Sequence, residues 1–128
     1  MSVKKIISTE NAPPAIGPYS QAVKVNNTLY ISGQLGISPV TKAFVSAFVE
    51  EQAEQSIQNL KAILEAAGGS LKSVVKTTIL LSDISDFPKV NAIYAKHFNE
   101  EPPARSTFAV KDLPLGGKVE IEAIAVIE

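Results

Sequence analysis

Two segments of the chain repeat hydrophobic residues at helical spacing. Between Phe48 and Ala67, apolar residues recur every three or four positions, with glutamates and glutamines between them. Gly68 and Gly69 follow directly and are typical of a helix C-terminus. Residues 87–98 show the same spacing and come after Asp83–Asp86, a segment that can cap a helix. The pattern therefore predicts two amphipathic helices.

Six other segments carry the β-branched or alternating apolar residues that strands favour. Asn26 and Asn27 separate two of these segments and can form a two-residue hairpin turn, because asparagine tolerates positive φ angles. The segment that ends at Leu81 becomes apolar on both faces, as a central strand does. The predicted strands are residues 3–9, 22–25, 28–32, 71–81, 105–110 and 118–127.

Two irregular stretches lie between the first predicted strands and the first helix. Prolines at positions 13, 14 and 18 break regular structure in the first stretch and lower the entropy lost when this loop is fixed. Such a loop suits the wall of a pocket, and Tyr19, at its exit, could line that pocket or belong to the core. In the second stretch, residues 33–39, Gly33 and Gly36 would let a ligand approach the backbone closely.

The order of the elements, β-β-β-α-β-α-β-β, predicts one α+β domain over residues 1–128. Its two layers would be a mixed six-stranded sheet and two helices on one face of that sheet. The last strand is apolar on both sides, because Ile124 and Val126 share with Glu120 and Glu122 the face opposite to Ile121. Helices on one side leave this second apolar face uncovered. We therefore predict that it is buried in an oligomer and that any site there lies between subunits.

Composition and charge exclude several classes of protein. The twelve basic and thirteen acidic residues are interleaved, so nothing favours nucleic acid or anionic lipid as a partner. The sequence has no cysteine, which excludes disulfides, thiolate zinc sites and thiol nucleophiles. It shows no apolar run of the kind found in signal peptides or membrane spans, and we expect a cytoplasmic protein.

Common catalytic and cofactor patterns are missing from the sequence. The only histidine, His97, lies among apolar positions of the second predicted helix and is expected at the edge of the core rather than in a catalytic triad. No cluster of side chains has metal-ligand spacing, and the glycines match neither a phosphate-binding loop nor a dinucleotide fingerprint. We expect no metal and no cofactor.

One arginine and two glutamates are the candidate chemical groups. Pro102 and Pro103 fix an extended approach to Arg105, whose planar fork of donors suits a carboxylate ligand. A structural ion pair of Arg105 with Glu120 or Glu122 is an equally good interpretation. Glu120, in an apolar strand, could be desolvated and accept a proton or orient water, or it could face solvent at an edge. Glu122 shares its face, so the pattern does not choose between them.

Four motifs together resemble the Rid (YjgF/YER057c/UK114) family, and most of all its RidA group of 2-iminobutanoate/2-iminopropanoate deaminases. They are Gly17-Pro18-Tyr19-Ser20-Gln21, Ser32-Gly33-Gln34, Pro103-Ala104-Arg105-Ser106 and Val119-Glu120-Ile121-Glu122-Ala123, in order along almost the whole chain. The resemblance implies a chorismate-mutase-like fold assembled as a homotrimer, with inward-packed sheets and three clefts between subunits.

The resemblance also implies roles for individual residues. Arg105 would bind the substrate carboxylate with help from the backbone of Gly33, and Glu120 would position the attacking water. Tyr19, Ser32 and Asn91 match positions that line the family's cleft. Thr107 stands where many members carry cysteine, so thiol-dependent behaviour does not carry over, and Thr107 is expected to line the pocket.

The activity implied is hydrolysis of a C–N bond. The substrates would be 2-aminoacrylate/2-iminopropanoate and 2-aminocrotonate/2-iminobutanoate, and the products would be 2-keto acids and ammonia. No cofactor would be needed. Removal of the enamines would protect pyridoxal-phosphate enzymes from attack by them. The expected partners are thus a small carboxylate and further copies of the chain. The alternatives are a non-enzymatic module that binds 2-keto acids, a ribonuclease or translation inhibitor, which the balanced charge disfavours, and a chaperone-like surface.

Overall fold

The computed structural model describes residues 3–128, and within this range all six predicted strands and both predicted helices are present. The strands are β1 (Lys5–Ile7), β2 (Ala22–Val25), β3 (Thr28–Leu35), β4 (Val74–Leu81), β5 (Ala104–Ala109) and β6 (Val119–Val126), and the helices are α1 (Val49–Ala66) and α2 (Phe87–His97).

Strand β6 lies inside the sheet, although it is the last strand of the chain. The strand order is β1-β2-β3-β6-β4-β5, and each pair of neighbours is antiparallel except β4 and β5. These two strands are parallel because α2 connects them as a crossover. The prediction of a mixed six-stranded α+β sheet is confirmed.

The two faces of the sheet differ in what covers them. One face of β6 is buried beneath the helices and consists of Val119, Ile121, Ala123 and Ala125. The residues that alternate with them, Glu120, Glu122, Ile124 and Val126, point to the other face, which no helix in residues 3–128 covers. Large apolar side chains from β1, β3 and β5 are exposed on this uncovered face: Ile6, Tyr30 and Phe108. The predicted apolar character of both faces is confirmed.

Turn and cap residues explain where the elements end. Asn26 has a left-handed φ of 53°, and Val25 pairs with Thr28 across the predicted two-residue turn. Helix α1 ends where the N–H of Gly69 bonds to the carbonyl of Leu64 at 2.8 Å, while Gly68 takes a φ of +89°. A residue with a Cβ would be strained at that φ, so the predicted glycine stop is confirmed.

Three predicted boundaries were wrong. Strand β3 continues through residues 33–35 instead of ending at Ser32, because a bulge between Ile31 and Gln34 lets the ladder continue past Gly33. The segment Leu71–Ser73 is a 3₁₀ turn that precedes β4. The side chain of Asp83 caps a second 3₁₀ turn, Ile84–Asp86, rather than α2 itself.

Candidate active site

Arg105 extends from β5 over helix α2, on the helix-covered face of the sheet. Its partner in register on β4, Thr77, is fully buried on this face. The Nη1 of Arg105 donates a 2.8 Å hydrogen bond to Oδ1 of Asn91. The guanidinium carbon lies 5.3 Å from the ring centre of Phe87 and 4.9 Å from that of Tyr94. These distances are typical of cation–π contacts, so one helix holds the guanidinium by two rings and an amide.

Arg105 has no carboxylate partner in the part of the chain that the structure describes. The ion pairs found there join Lys72 to Glu100 and His97 to Glu54. Within one chain, Arg105 therefore does not form the structural ion pair with Glu120 or Glu122 that the sequence left open. Since Asn91 takes only one of the five guanidinium N–H donors, Arg105 can still bind a carboxylate.

A cavity of about 600 Å³ lies on the uncovered side of the sheet, where β6 begins. Polar and charged residues line one part of it: Tyr19, Ser32, Glu120 and Glu122, with the backbone of Gly33. Apolar side chains line another part: Ile16, Leu35 and Leu115. A cavity of this size with a few polar groups suits a small organic ligand.

Glu120 is held against the backbone of Gly33 at this cavity. A Cβ built on Gly33 would lie 2.7 Å from Cδ of Glu120, so glycine is the residue that leaves room for the carboxyl group. Burial raises the pKa of Glu120, and the negative charge of Glu122 raises it further. Glu122 is exposed, whereas Glu120 is half-buried. Glu120 is therefore the better candidate for proton transfer or for orienting water.

Tyr19 is positioned by a loop that side-chain amides and hydroxyls hold in place. The Oγ of Ser32 donates a 2.6 Å hydrogen bond to the carbonyl of Ser20. The buried amide of Gln21 donates to the carbonyl of Pro13 at 2.7 Å and accepts from the N–H of Thr9, also at 2.7 Å. Tyr19 itself is 51% exposed and lines the cavity, so its ring is not part of the core. Gln21, which fixes this loop, was not among the residues predicted to form the site.

Polar residues on the buried side of α1 were likewise not predicted to support the site. Ser56 donates a 2.6 Å hydrogen bond to the carbonyl of Gln34, and Asn59 donates a 3.1 Å bond to that of Leu35. Gln52 is buried beside them. These side chains support the end of β3 next to the cavity. The spacing of positions 52, 56 and 59, which falls on the apolar stripe of the helix, could have revealed them.

The predicted site residues form two groups on opposite faces of the sheet. Tyr19, Ser32, Gly33 and Glu120 meet at the cavity on the uncovered face. Arg105 and Asn91 meet on the helix-covered face, and Thr107 follows two residues along β5 on the same side as Arg105. Strand β4 lies between Glu120 and Arg105. A single chain therefore does not bring the two predicted catalytic residues together.

Other parts of the structure bear on cofactors and membranes. Over residues 3–128, no group of three or more histidine, aspartate or glutamate side chains could hold a metal ion. No described helix is long and apolar enough to span a membrane. His97 is half-buried at the helix interface, and its Nε2 lies 2.8 Å from Oε1 of Glu54, so it joins α2 to α1 at the edge of the core as expected.

The sequence is similar to curated proteins over nearly its full length. It is 56% identical to Reactive Intermediate Deaminase A, chloroplastic, from Arabidopsis thaliana, covering 98% of this chain and 68% of that protein. It is 55% identical to the 2-iminobutanoate/2-iminopropanoate deaminase of Bos taurus, covering 97% of this chain and 90% of that one.

A solved structure and a family model agree with these matches. The crystal structure of TdcF from E. coli with bound serine aligns with a TM-score of 0.91 and 42% identity over 97% of this chain and 99% of TdcF. The family model described as Endoribonuclease L-PSP matches residues 9–127. The chain therefore belongs to the L-PSP family, which is the YjgF or Rid family whose four motifs its sequence carries.

Proposed function

We propose that this protein is an enamine/imine deaminase that hydrolyses 2-iminopropanoate and 2-iminobutanoate, with their enamine tautomers, to 2-keto acids and ammonia. Relatives 51–56% identical to this chain carry the names of such deaminases. One structural observation carries the proposal: Arg105 is held by two rings and an amide while most of its donors stay free for a substrate carboxylate.

The complete site is proposed to form between subunits of a homotrimer with a chorismate-mutase-like fold. The uncovered sheet face carries exposed Tyr30 and Phe108, which a second copy would remove from water. Arg105 and Glu120 lie on opposite faces of one sheet, so a substrate that contacts both needs Arg105 from one copy and Glu120 from a neighbour. A closed ring of identical head-to-tail contacts supplies this arrangement once per subunit.

The proposed chemistry needs positioning and one proton-transfer group. The enamine tautomerises to the imine, whose C2 is electrophilic. Arg105 would hold the carboxylate, with the backbone of Gly33 assisting, so that C2 faces a water molecule held by Glu120. The water oxygen bonds to C2 as the C=N π bond opens, and one water proton passes through the carboxylate of Glu120 to the nitrogen, which gives a carbinolamine. The hydroxyl proton of this intermediate then passes to the amino nitrogen, the C–N bond breaks and the C=O bond forms. Ammonia and a 2-keto acid result.

The remaining predicted site residues would shape the pocket around this reaction. Tyr19 and Ser32 would line it near Glu120, and Asn91 and Thr107 would line it near Arg105. No step in this chemistry calls for a metal or an organic cofactor. The expected ligand is a small carboxylate, and a cytoplasmic location remains a prediction, since one relative is named chloroplastic.

A coupled reaction tests the proposal. Threonine dehydratase and threonine generate the enamine, and release of 2-ketobutanoate is followed with and without this protein and with its folded Arg105→Ala variant. Arg105→Lys is the matched variant, because it keeps the charge but loses the planar fork. Faster release by the wild type and not by Arg105→Ala is expected. No acceleration by the wild type would reject the deaminase.

Binding without catalysis is the second candidate function, and the bound serine in TdcF favours it. A module of this kind would bind 2-keto acids in the same site and leave the rate of imine hydrolysis unchanged. Ribonuclease activity is suggested by the description of the family model. The net charge of -1 gives no overall attraction for phosphate groups. Cleavage of RNA that survives Arg105→Ala would separate that activity from this site.

A further inference from the structure

Three residues of α2 form a stripe beneath the guanidinium of Arg105. Phe87, Asn91 and Tyr94 are spaced by four and three residues, which places them on one side of the helix. Each contacts the guanidinium of Arg105: the two rings at 5.3 and 4.9 Å and the amide oxygen at 2.8 Å. The stripe therefore restricts a side chain that otherwise has many rotamers.

Tyr94 is the most firmly fixed member of this stripe. Its hydroxyl lies 2.7 Å from Oγ1 of Thr77, which is fully buried on β4 and pairs in register with Arg105. Its ring stacks on Phe98 with centres 4.5 Å apart, and Tyr94 is only 5% exposed. Burial raises the pKa of Tyr94, so the phenol stays neutral under the ordinary conditions of an assay. By comparison, Asn91 is exposed and contributes a single hydrogen bond.

We propose that Tyr94 is a positioning residue for the deaminase reaction: its buried ring, together with that of Phe87, fixes the guanidinium of Arg105 in the orientation that binds the substrate carboxylate. This inference rests on the proposed function. The ring performs this role, and the Thr77 hydroxyl holds the ring in place. A flat ring below the guanidinium leaves its in-plane N–H donors free for the two oxygens of a carboxylate.

The test compares binding of 2-ketobutanoate with binding of its uncharged amide, 2-oxobutanamide, by titration calorimetry. If the role of Tyr94 were only structural, its loss would weaken the binding of both ligands equally. Loss of orientation at Arg105 weakens the binding of the carboxylate alone. The variants are Tyr94→Leu, which removes the ring, and Tyr94→Phe, which keeps the ring and loses the bond to Thr77. Ile93→Ala, a partly buried neighbour on α2, is the control for general loss of stability.

Tyr94→Leu is expected to reduce the preference for the carboxylate about tenfold and to reduce acceleration in the dehydratase assay similarly. Tyr94→Phe should keep the preference within about twofold, although its melting temperature falls. Ile93→Ala should lower the melting temperature and leave the preference unchanged. If Tyr94→Leu does not fold, Phe87→Leu, at a half-buried position, should still reduce the preference about threefold.

Two results would overturn the inference while leaving the proposed function intact. In the first, the wild type is active but Tyr94→Leu, or Phe87→Leu if Tyr94→Leu is unfolded, keeps the carboxylate preference of the wild type. In the second, Tyr94→Phe and Tyr94→Leu lose the carboxylate preference equally. A wild type that does not accelerate imine hydrolysis would overturn the proposed function, and this inference with it.

Discussion

Gly33→Ala should separate activity from stability in this protein. The added Cβ would lie 2.7 Å from Cδ, 2.9 Å from Cγ and 3.0 Å from Oε1 of Glu120, whereas carbon atoms in contact are normally about 3.5–4.0 Å apart. The carboxyl group must therefore move by about 1 Å. Because that group is the end of a flexible side chain beside a cavity, the stability cost should stay below about 1 kcal/mol. A displacement of this size at a reacting group can cost about a hundredfold in rate.

Two other glycines provide matched controls for this prediction. A Cβ on Gly36 would collide with the backbone of Gln52 in α1, which cannot rotate away, so Gly36→Ala should destabilise the fold by about 1–3 kcal/mol. A Cβ on Gly17 would meet the ring of Tyr19 at an ordinary 3.5 Å, so Gly17→Ala should be nearly neutral. Urea unfolding gives the stabilities, and the dehydratase-coupled assay gives the rates.

The outcome for Gly33→Ala bears directly on the role of Glu120. A folded Gly33→Ala variant with the activity of the wild type would show that the position of the Glu120 carboxyl does not matter for turnover. A variant as unstable as Gly36→Ala would show that Glu120 cannot move aside, which would refute the packing argument.

Three further predictions follow from charges and buried hydrogen bonds. Glu122→Gln removes one of the causes that raise the pKa of Glu120, so the acid limb of the pH–rate profile should move to lower pH; an unmoved or upward-shifted limb would contradict this assignment. Ser56→Ala leaves the buried carbonyl of Gln34 without its donor and should cost about 1–3 kcal/mol in urea unfolding, while a neutral result would contradict the support role. Burial raises the pKa of Glu54, but its hydrogen bond with His97 helps to lower the pKa of Glu54 overall. Glu54→Gln should therefore cost less than about 1 kcal/mol at neutral pH, and this cost should vanish as the pH falls through the lowered pKa; a cost that grows in acid would show the opposite sign.

Local patterns were enough to predict the elements of the fold. The apolar spacing of α1, its glycine stop and the asparagine turn depend on neighbours in sequence, and the structure confirmed all three. The longer β3 was missed because the bulge after Ile31 is stabilised by pairing with β6, which lies far along the chain. Long-range pairing of this kind has no signal in a short window of sequence.

The candidate site was predictable in its residues but not in its arrangement. Alternation along β6 placed Glu120 on the face opposite the helices, as the structure has it. The face on which Arg105 lies depends on its register with Thr77 of β4 and on the aromatic residues of α2, and neither is visible in the motif around Arg105. The separation of Arg105 from Glu120 therefore became apparent only in three dimensions.

The most direct test of the account is complementation between two inactive variants, Arg105→Ala and Glu120→Gln. Each is purified alone, and the two are then refolded together in equal amounts and compared with each variant refolded separately. If every site takes Arg105 from one subunit and Glu120 from its neighbour, random mixing in a head-to-tail ring restores both wild-type residues in about one quarter of the sites. Imine hydrolysis should then recover to about one quarter of the wild-type rate. A mixture no more active than the separate variants would contradict a site shared between subunits.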